Sequence, residues 1–269
     1  MLRDGARNTL DLLVSPLIQE RAARVAGHRP WPAPERSWVM AQSWVDLLFA
    51  HWSLPPQVLA AAVPPQLELD LCDGAAWIGI TPFEVRNLRL RMTPPVPMIS
   101  AFAEINVRTY VTLGGRPGIY FFSLDADSAL AVAAARRFYR LPYFRAEMAV
   151  ARTGSEVDYE SERSADQHAP RAAFRASYRP TGSPSPATGG SLEFWLTERY
   201  CLYTLDEQNQ VLSAEIQHPP WPIQPAQAEI ALNTMADEIV ELRGEPLLHY
   251  ARRQDVAFWT LERATDGAT

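Results

Sequence analysis

The sequence contains no lysine, so all 25 of its basic residues are arginine. No side-chain amine is therefore present to attack a carbonyl and form a Schiff base, and internal lysine-type imine chemistry is excluded. The formal net charge is −6, and no cluster of basic residues indicates a groove that follows phosphates. A nucleic-acid partner is therefore not expected.

Cysteine and long apolar runs are also scarce. The two cysteines, Cys72 and Cys201, lie far apart and suggest neither a disulfide framework nor a metal motif. We expect them to be reduced thiols in a cytoplasmic protein. No run of about 20 apolar residues is present, so no membrane span is predicted.

Residues 1–34 are predicted to form a separate helical segment. They lack the uninterrupted apolar run and small-residue cleavage site of a signal peptide. Their pattern indicates an amphipathic helix instead, with one apolar side formed by Leu10, Leu13, Leu17 and Ile18.

Motifs for common cofactors and nucleophiles are absent. There is no G-x-S-x-G, P-loop or G-x-G-x-x-G, so no cofactor is expected. The histidines lack paired ligand spacing, so no metal site is predicted.

His51 is interpreted as a structural histidine. His218 precedes "PPWP", a rigid loop that either caps a cavity mouth or packs on the barrel.

Residues 35–263 are predicted to form one domain in which strands joined by short turns outnumber helices. That pattern favours an antiparallel α+β fold. Local signals predict a hairpin at Asp73-Gly74, a loop over 85–100, a helix within 126–141, a meander over 146–179 and a helix over 225–239.

The segment "FAEINVRTYV", residues 102–111, alternates between two kinds of side chain. Its odd positions are apolar, and its even positions carry Glu104, Asn106, Arg108 and Tyr110. A turn centred on Gly115-Arg116 would place three pairs opposite each other: Arg108 and Ser123, Asn106 and Asp125, and Tyr110 and Phe121.

The polar row has two interpretations. It is either a solvated sheet face with one cross-strand ion pair or the wall of an internal cavity. The aromatic neighbours Phe102, Tyr110 and Phe121 favour the cavity, because apolar walls with a few convergent polar groups are typical of ligand pockets.

A continuous pattern resembles a known bacterial family. "VPPQLELD", "AWIGITPF", "RNLRLR", "FAEINVRTYV", "FFSLDADSALAV" and "YRLPYF", followed by "LTERYCLYT" and "HPPWPIQPA", are similar to the YqjF-like proteins over about residues 35–262. That family resembles, more distantly, acetoacetate decarboxylase, whose fold is a conical, mostly antiparallel β-barrel with an internal cavity. The resemblance therefore implies this barrel with a few peripheral helices.

The resemblance also implies a site. Glu104 matches a cavity glutamate, so its row should point inward, while Tyr143 follows Pro142 where the decarboxylase pattern has its lysine. The ligand-binding residues expected on this basis are Glu104, Asn106, Arg108, Tyr110 and Tyr143. Glu104 and Tyr143 are the catalytic candidates, and an arginine of "RNLRLR" is the expected partner of Glu104.

Two functions from different classes remain open at this stage. In the first, the cavity recognises a small organic acid or carbonyl compound through Arg108 and either only binds it or acts on it without a Schiff base. In the second, the barrel interior is filled, and the protein is a non-catalytic scaffold whose outer aromatic residues and prolines are compatible with a homo-oligomer. Glu198, Arg199 and Tyr203 are expected to form ion pairs and hydrogen bonds that anchor the barrel.

Overall fold

The computed structural model describes residues 2–96, 99–164 and 170–264, with side chains from residue 11 onward. Its helices are α1 (Leu2–Arg24), α2 (Pro56–Ala60), α3 (Ala129–Tyr139) and α4 (Leu192–Thr197). Its strands are β1 (Met40–Leu54), β2 (Glu68–Leu69), β3 (Ala76–Leu90), β4 (Phe102–Leu113), β5 (Arg116–Ala126), β6 (Tyr143–Thr153), β7 (Glu156–Arg163), β8 (Ala173–Pro180), β9 (Ser185–Pro186), β10 (Cys201–Leu205), β11 (Val211–Gln217), β12 (Pro222–Asn233), β13 (Leu247–Phe258) and β14 (Glu262–Arg263).

The sheet closes on itself. Among the described residues, nine strands form a closed barrel in the order β1-β3-β4-β5-β6-β7-β8-β12-β13. The pairs β5–β6 and β5–β10 are parallel, and the other pairings are antiparallel, so the barrel is mixed but mostly antiparallel, as predicted. β10 and β11 connect β5 back to β13 and close a second, smaller ring.

Strands β1, β3 and β4 are a wall shared by the barrel and the smaller ring. Successive side chains of a strand point to opposite faces, so each of these strands contributes to two cores. Ile105 and Val107 pack in the barrel core with Tyr159 and Phe174. The opposite face contributes to the ring core, which includes Phe49, Phe83, Phe121, Leu202 and Ile216.

Several local predictions are confirmed. α3 begins after Ser128, whose hydroxyl accepts a hydrogen bond from the backbone N–H of Ala131, and β6, β7 and β8 form the meander. Asp73 and Gly74 adopt positive φ angles of 51° and 77°. This turn closes only a single bridge, however, and β2 pairs with β4 instead of β3.

The predicted loop over 85–100 is wrong in its first part, because β3 continues to Leu90. Long β1 supplies the pairing, with Met40 opposite Leu90 and Ala41 opposite Arg89. The predicted helix over 225–239 is wrong as well, since β12 occupies most of it. Ala226, Ala228 and the residues that follow pair with β8, so tertiary pairing overrides local helix propensity.

The amphipathic helix α1 turns its polar side toward the barrel. Gln19 is 1% exposed, accepts a hydrogen bond from Arg89 Nε at 2.7 Å and donates one to the Asn87 carbonyl at 3.1 Å. Leu13 and Leu17 are 71% and 73% exposed, so the apolar side faces solvent; the side chain of Leu10 lies outside the described residues. Within the described parts of the chain, no helix is long and apolar enough to cross a membrane.

Candidate functional site

The polar row of β4 points into the smaller ring. Glu104, Asn106 and Arg108 are each at most 5% exposed, and Tyr110 is fully buried. On β3, Phe83, Thr81 and Gly79 lie opposite the first three of them, and Phe83 belongs to the ring core. Four polar side chains on one face of β4 are thus removed from water inside the ring.

The predicted register of the β4–β5 hairpin is wrong. Gly114 and Gly115 have φ angles of 56° and 77° and form the turn between Leu113 and Arg116; two-residue hairpin turns favour glycine because both central residues need positive φ. A bulge at Phe122 then shifts the pairing by one residue.

The bulge changes the neighbours of the polar row. Arg108 lies opposite Phe121, and Ser123 lies opposite Val107. Asp125 lies opposite Ile105 and its carboxylate is held by Arg163. The predicted proximity of Arg108 to Ser123 and Asp125 through direct pairing is therefore not observed.

Glu104 forms a hydrogen-bonded pair with Tyr143. Tyr143 begins β6 next to Leu124, and its hydroxyl donates to Glu104 Oε2 at 2.8 Å. Burial raises the pKa of Glu104 to about 8, although the hydrogen bond from Tyr143 opposes this shift. Glu104 is therefore mostly protonated at neutral pH.

The expected arginine partner of Glu104 is not found. In "RNLRLR", Arg86 pairs with Glu84, and Arg89 contacts Gln19 and Glu20 of α1. Because Glu104 is neutral near pH 7, it does not require a cation to compensate a buried charge.

Arg108 is a buried cation without an acidic partner. No carboxylate lies within 4.0 Å of its guanidinium nitrogens among the described residues, and its Nε has no hydrogen-bond acceptor. The guanidinium carbon lies 5.1 Å from the centre of the Phe49 ring. A cation–π contact offsets only part of the cost of burying a charge.

Gly79 makes room for the groups beside Arg108. A Cβ atom at this position would lie 2.9 Å from His51 Cδ2 and 3.5 Å from Arg108 Cγ. His51 Nε2 is 2.6 Å from the Tyr110 hydroxyl, and burial lowers the pKa of His51 well below its usual value. His51 is therefore neutral at pH 7, and Arg108 is the charged group of this part of the row.

Arg199 is a second guanidinium at the site that sequence reasoning assigned only to anchoring. It is 4% exposed and does form the expected kind of ion pair, with Asp70. Its guanidinium carbon also lies 4.9 Å from the Tyr110 ring centre and 4.3 Å from that of Trp195. No local pattern links it to Tyr110, because the two residues are far apart in the chain and only closure of the ring brings them together.

His218 packs inside the structure and does not line an open mouth. It is 2% exposed, its Nε2 is 3.1 Å from the Arg199 carbonyl, and its ring stacks on Tyr200 with a centroid distance of 4.6 Å. Of the two interpretations from the sequence, the structure supports packing. Through Arg199, it also helps to position the backbone next to the polar row.

Several buried polar atoms on the ring strands and their connections have no hydrogen-bond partner. A buried polar group usually has at least one partner, so each exception needs an explanation. The unpartnered atoms are His51 Nδ1, Asn106 Oδ1, Arg108 Nε, Ser123 Oγ, Arg199 Nη2, Trp221 Nε1 and His249 Nδ1.

Across residues 2–96, 99–164 and 170–264, no group of three or more His, Cys, Asp or Glu side chains is arranged to hold a metal ion.

Comparison with solved structures shows the same fold. Acetoacetate decarboxylase from Legionella pneumophila aligns with a TM-score of 0.57 and 12% identity, covering 88% of this chain and 93% of that chain. The enduracididine biosynthesis enzyme MppR complexed with pyruvate aligns with a TM-score of 0.59 and 13% identity, covering 90% and 95%. At this identity the likeness concerns the fold alone.

Comparison of sequences shows the family. The uncharacterized protein YqjF of Bacillus subtilis (strain 168) is 50% identical over 232 residues, which are 86% of this chain and 94% of that protein. The family model DUF2071, described as an uncharacterized conserved protein, matches residues 41–255. The chain therefore belongs to the DUF2071 family of YqjF-like proteins, built on the acetoacetate decarboxylase-like barrel.

Proposed function

We propose that the smaller ring binds a small organic acid or carbonyl compound, with Arg108 as the group that receives its carboxylate or carbonyl oxygen. The observation that carries this proposal is the buried, unpaired guanidinium. An isolated buried charge is costly, and an anionic ligand would supply the missing counter-charge.

The neighbouring groups suit such a ligand. Asn106 lies between Arg108 and Glu104 on the same strand face, and residues four apart on a strand are separated by roughly 13 Å. A ligand of a few carbon atoms held at Arg108 extends past Asn106 toward Glu104. Arg199, with a free Nη2, offers a further donor. The solved structure of MppR, a protein of the same fold, is a complex with pyruvate, which supports a short keto acid as a candidate ligand.

Glu104 and Tyr143 are the proposed proton donors of the site. A neutral carboxyl group at pH 7 can donate a proton or a hydrogen bond to a developing oxyanion without forming a covalent bond to the substrate. The elevated pKa of Glu104, about 8, is suited to this role. Chemistry at this site proceeds without an imine, since the chain has no lysine.

The test of binding is thermal denaturation and calorimetry with acetate, pyruvate and acetoacetate, each compared with its neutral amide analogue. Ligand binding should raise the melting temperature of the wild-type protein, and the rise should grow with the logarithm of the ligand concentration above Kd. Arg108→Gln should abolish that response, whereas Arg175→Gln, which alters an exposed ion pair on β8, should preserve it.

A response that persists in Arg108→Gln would contradict the assignment of this residue. Absence of any response in the wild-type protein would instead support the scaffold with a filled interior. A separate test addresses covalent chemistry. Treatment with acetoacetate and borohydride should leave the mass of the protein unchanged, and a stoichiometric adduct on an internal residue would contradict the exclusion of imine chemistry.

A further inference from the structure

A cleft of about 290 Å³ lies outside the ring, where the loop after α1 crosses the ends of β5, β11 and β14. None of its lining residues belongs to the polar row of β4. One part of its lining is apolar and one part is charged. The apolar members are Pro32, Pro34, Leu113, Tyr203 and Ala264, and the charged members are Arg36, Arg116, Glu215, Glu262 and Arg263.

Glu215 organises the charged wall. It is 7% exposed, and its Oε2 accepts hydrogen bonds from Arg29 and, at 3.1 Å, from the indole N–H of Trp31. Its Oε1 forms an ion pair with Arg116 Nη2. Two guanidinium groups thus share one carboxylate, and the negative charge of Glu215 is fully compensated in the absence of a ligand.

Arg116 is held in a fixed orientation, and not all of its N–H groups have a hydrogen-bond acceptor. Its guanidinium carbon lies 4.4 Å from the centre of the Trp31 ring, and one nitrogen is bound to Glu215. Its Nε is buried without an acceptor, while the side chain as a whole is 42% exposed. Stacking and one ion pair therefore fix the guanidinium plane, so little conformational entropy would be lost when an anion binds.

The cleft and its support carry more positive than negative charge. Arg36 is paired with Glu262, and Glu215 balances only one of Arg29 and Arg116. Arg263 forms no ion pair with any described residue. Four arginines therefore face two glutamates, and the excess favours an anion.

We propose that this cleft binds a small organic anion that has an apolar body, of about the size of an aromatic monocarboxylate. Its carboxylate would contact Arg116 and Arg263, and its body would lie against Pro32, Pro34 and Tyr203. The cavity volume of about 290 Å³ lies just below the range of drug-sized pockets, roughly 300–1,000 Å³, which suits a small ligand. The rigid proline walls favour a preformed site.

Calorimetric titration of the full-length protein with benzoate tests the proposal, with benzamide and inorganic phosphate as matched probes. Benzoate should bind, and both benzamide and phosphate should bind at least tenfold more weakly, because the first lacks the charge and the second lacks the apolar body. Arg263→Gln, at an exposed position, should weaken benzoate binding several-fold without affecting folding. Arg116→Gln should weaken it at least tenfold. Arg175→Gln should leave the affinity unchanged.

Three results would overturn the proposal: no benzoate binding to the wild-type protein, equal affinity for phosphate, or unchanged affinity in both cleft variants. Arg108→Gln distinguishes this cleft from the ring. Benzoate binding should persist in that variant, and loss of binding there together with retention in Arg116→Gln would place the anion inside the ring. The cleft proposal can therefore fail while the proposed function of the ring stands, and the proposed function of the ring can fail while the cleft proposal stands.

Discussion

Each face of the β4–β5 hairpin carries a buried charge, but the charge is paired on one face and unpaired on the other. On one face Asp125, fully buried, accepts hydrogen bonds from Arg163 at 2.8 to 3.2 Å, and the guanidinium also lies over the Phe144 ring. On the other face Arg108 is also buried, at 5% exposed, and among the described residues no carboxylate forms an ion pair with it. Both faces belong to the same two strands, so the difference is in the partners and not in the backbone.

The difference suggests that the paired charges, Asp125 and Arg163, stabilise the fold, whereas the unpaired Arg108 is available to bind a ligand. A paired buried charge depends strongly on its partner, because removal of one member leaves the other uncompensated. An unpaired buried charge lowers stability, and natural sequences tolerate such violations mainly at functional sites. The contrast predicts that substitutions on the two faces have different consequences for stability and for ligand response.

The largest loss of stability is expected for Arg163→Ala. It leaves the Asp125 carboxylate buried and unpaired, which should lower the free energy of unfolding by about 3–5 kcal/mol. Urea denaturation at pH 7 measures the change. The double variant Asp125→Asn/Arg163→Gln removes both charges and should lose less. An equal loss in the double variant would show that packing, and not charge, dominates at this pair.

Glu104→Gln should change the pH dependence of stability. The pKa of Glu104 is about 8 in the folded chain against a usual value of 4.5, so the folded state holds a proton that the unfolded state releases. Stability contributed by this group is then full below about pH 4.5 and decreases as pH rises to about 8. Gln cannot ionise, so the variant should match the wild type at pH 4 and exceed it at pH 8, on the order of a few kcal/mol.

Denaturation curves at the two pH values measure this effect. Tyr143→Phe removes the hydrogen bond that opposes the pKa shift but keeps the carboxyl group, so its stability should still fall between the two pH values. Burial also raises the pKa of Asp125 and of Asp127, and their contributions remain in both proteins. An unchanged pH dependence in Glu104→Gln would mean that Glu104 is ionised in the folded protein.

Gly79→Ala should cost about 1–3 kcal/mol, the usual range for inserting a methyl group into a packed core. The new Cβ would clash with the His51 ring, whereas its 3.5 Å distance to Arg108 Cγ is an ordinary van der Waals contact. Because His51 contacts Tyr110 in the polar row, its displacement should also weaken the ligand response. Parallel urea denaturation and calorimetry separate the two effects, and a variant with normal ligand affinity would show that the ring tolerates displacement of His51.

The smallest change in stability is expected for Arg108→Gln, within about 1 kcal/mol of the wild type or in the stabilising direction, because no acid is left unpaired. This variant is the direct counterpart of Arg163→Ala. A loss as large as that of Arg163→Ala would reveal a compensating partner for Arg108 and would remove the main support for a binding role.

Alternation on β4 predicted that Glu104 and Arg108 lie on the face opposite to Ile105 and Val107, but it left open which face is buried. The family resemblance implied both the barrel and the inward direction of the polar row. The hairpin register could not be predicted, because the bulge at Phe122 leaves no mark in local composition and the choice between adjacent glycine turns depends on φ angles.

Other features depended on distant partners. Arg199 reaches Tyr110 only because β10 pairs in parallel with β5, and β12 is a strand because β8 is available to pair with it. The docking of α1 by its polar side depends on Gln19 meeting Arg89 and Asn87. Periodicity identifies an apolar side of a helix, but the identity of the surface that the helix meets decides which side is buried.

Because β4 belongs to both the barrel and the ring, its neighbouring residues are subject to different structural constraints. Ile105 and Val107 face the barrel core, where side-chain volume is limiting, while the residues between them face the ring, where charge and hydrogen bonding matter. Substitutions at every second position of one strand can therefore change the polar interior of the ring, while the alternate positions preserve the packing of the barrel.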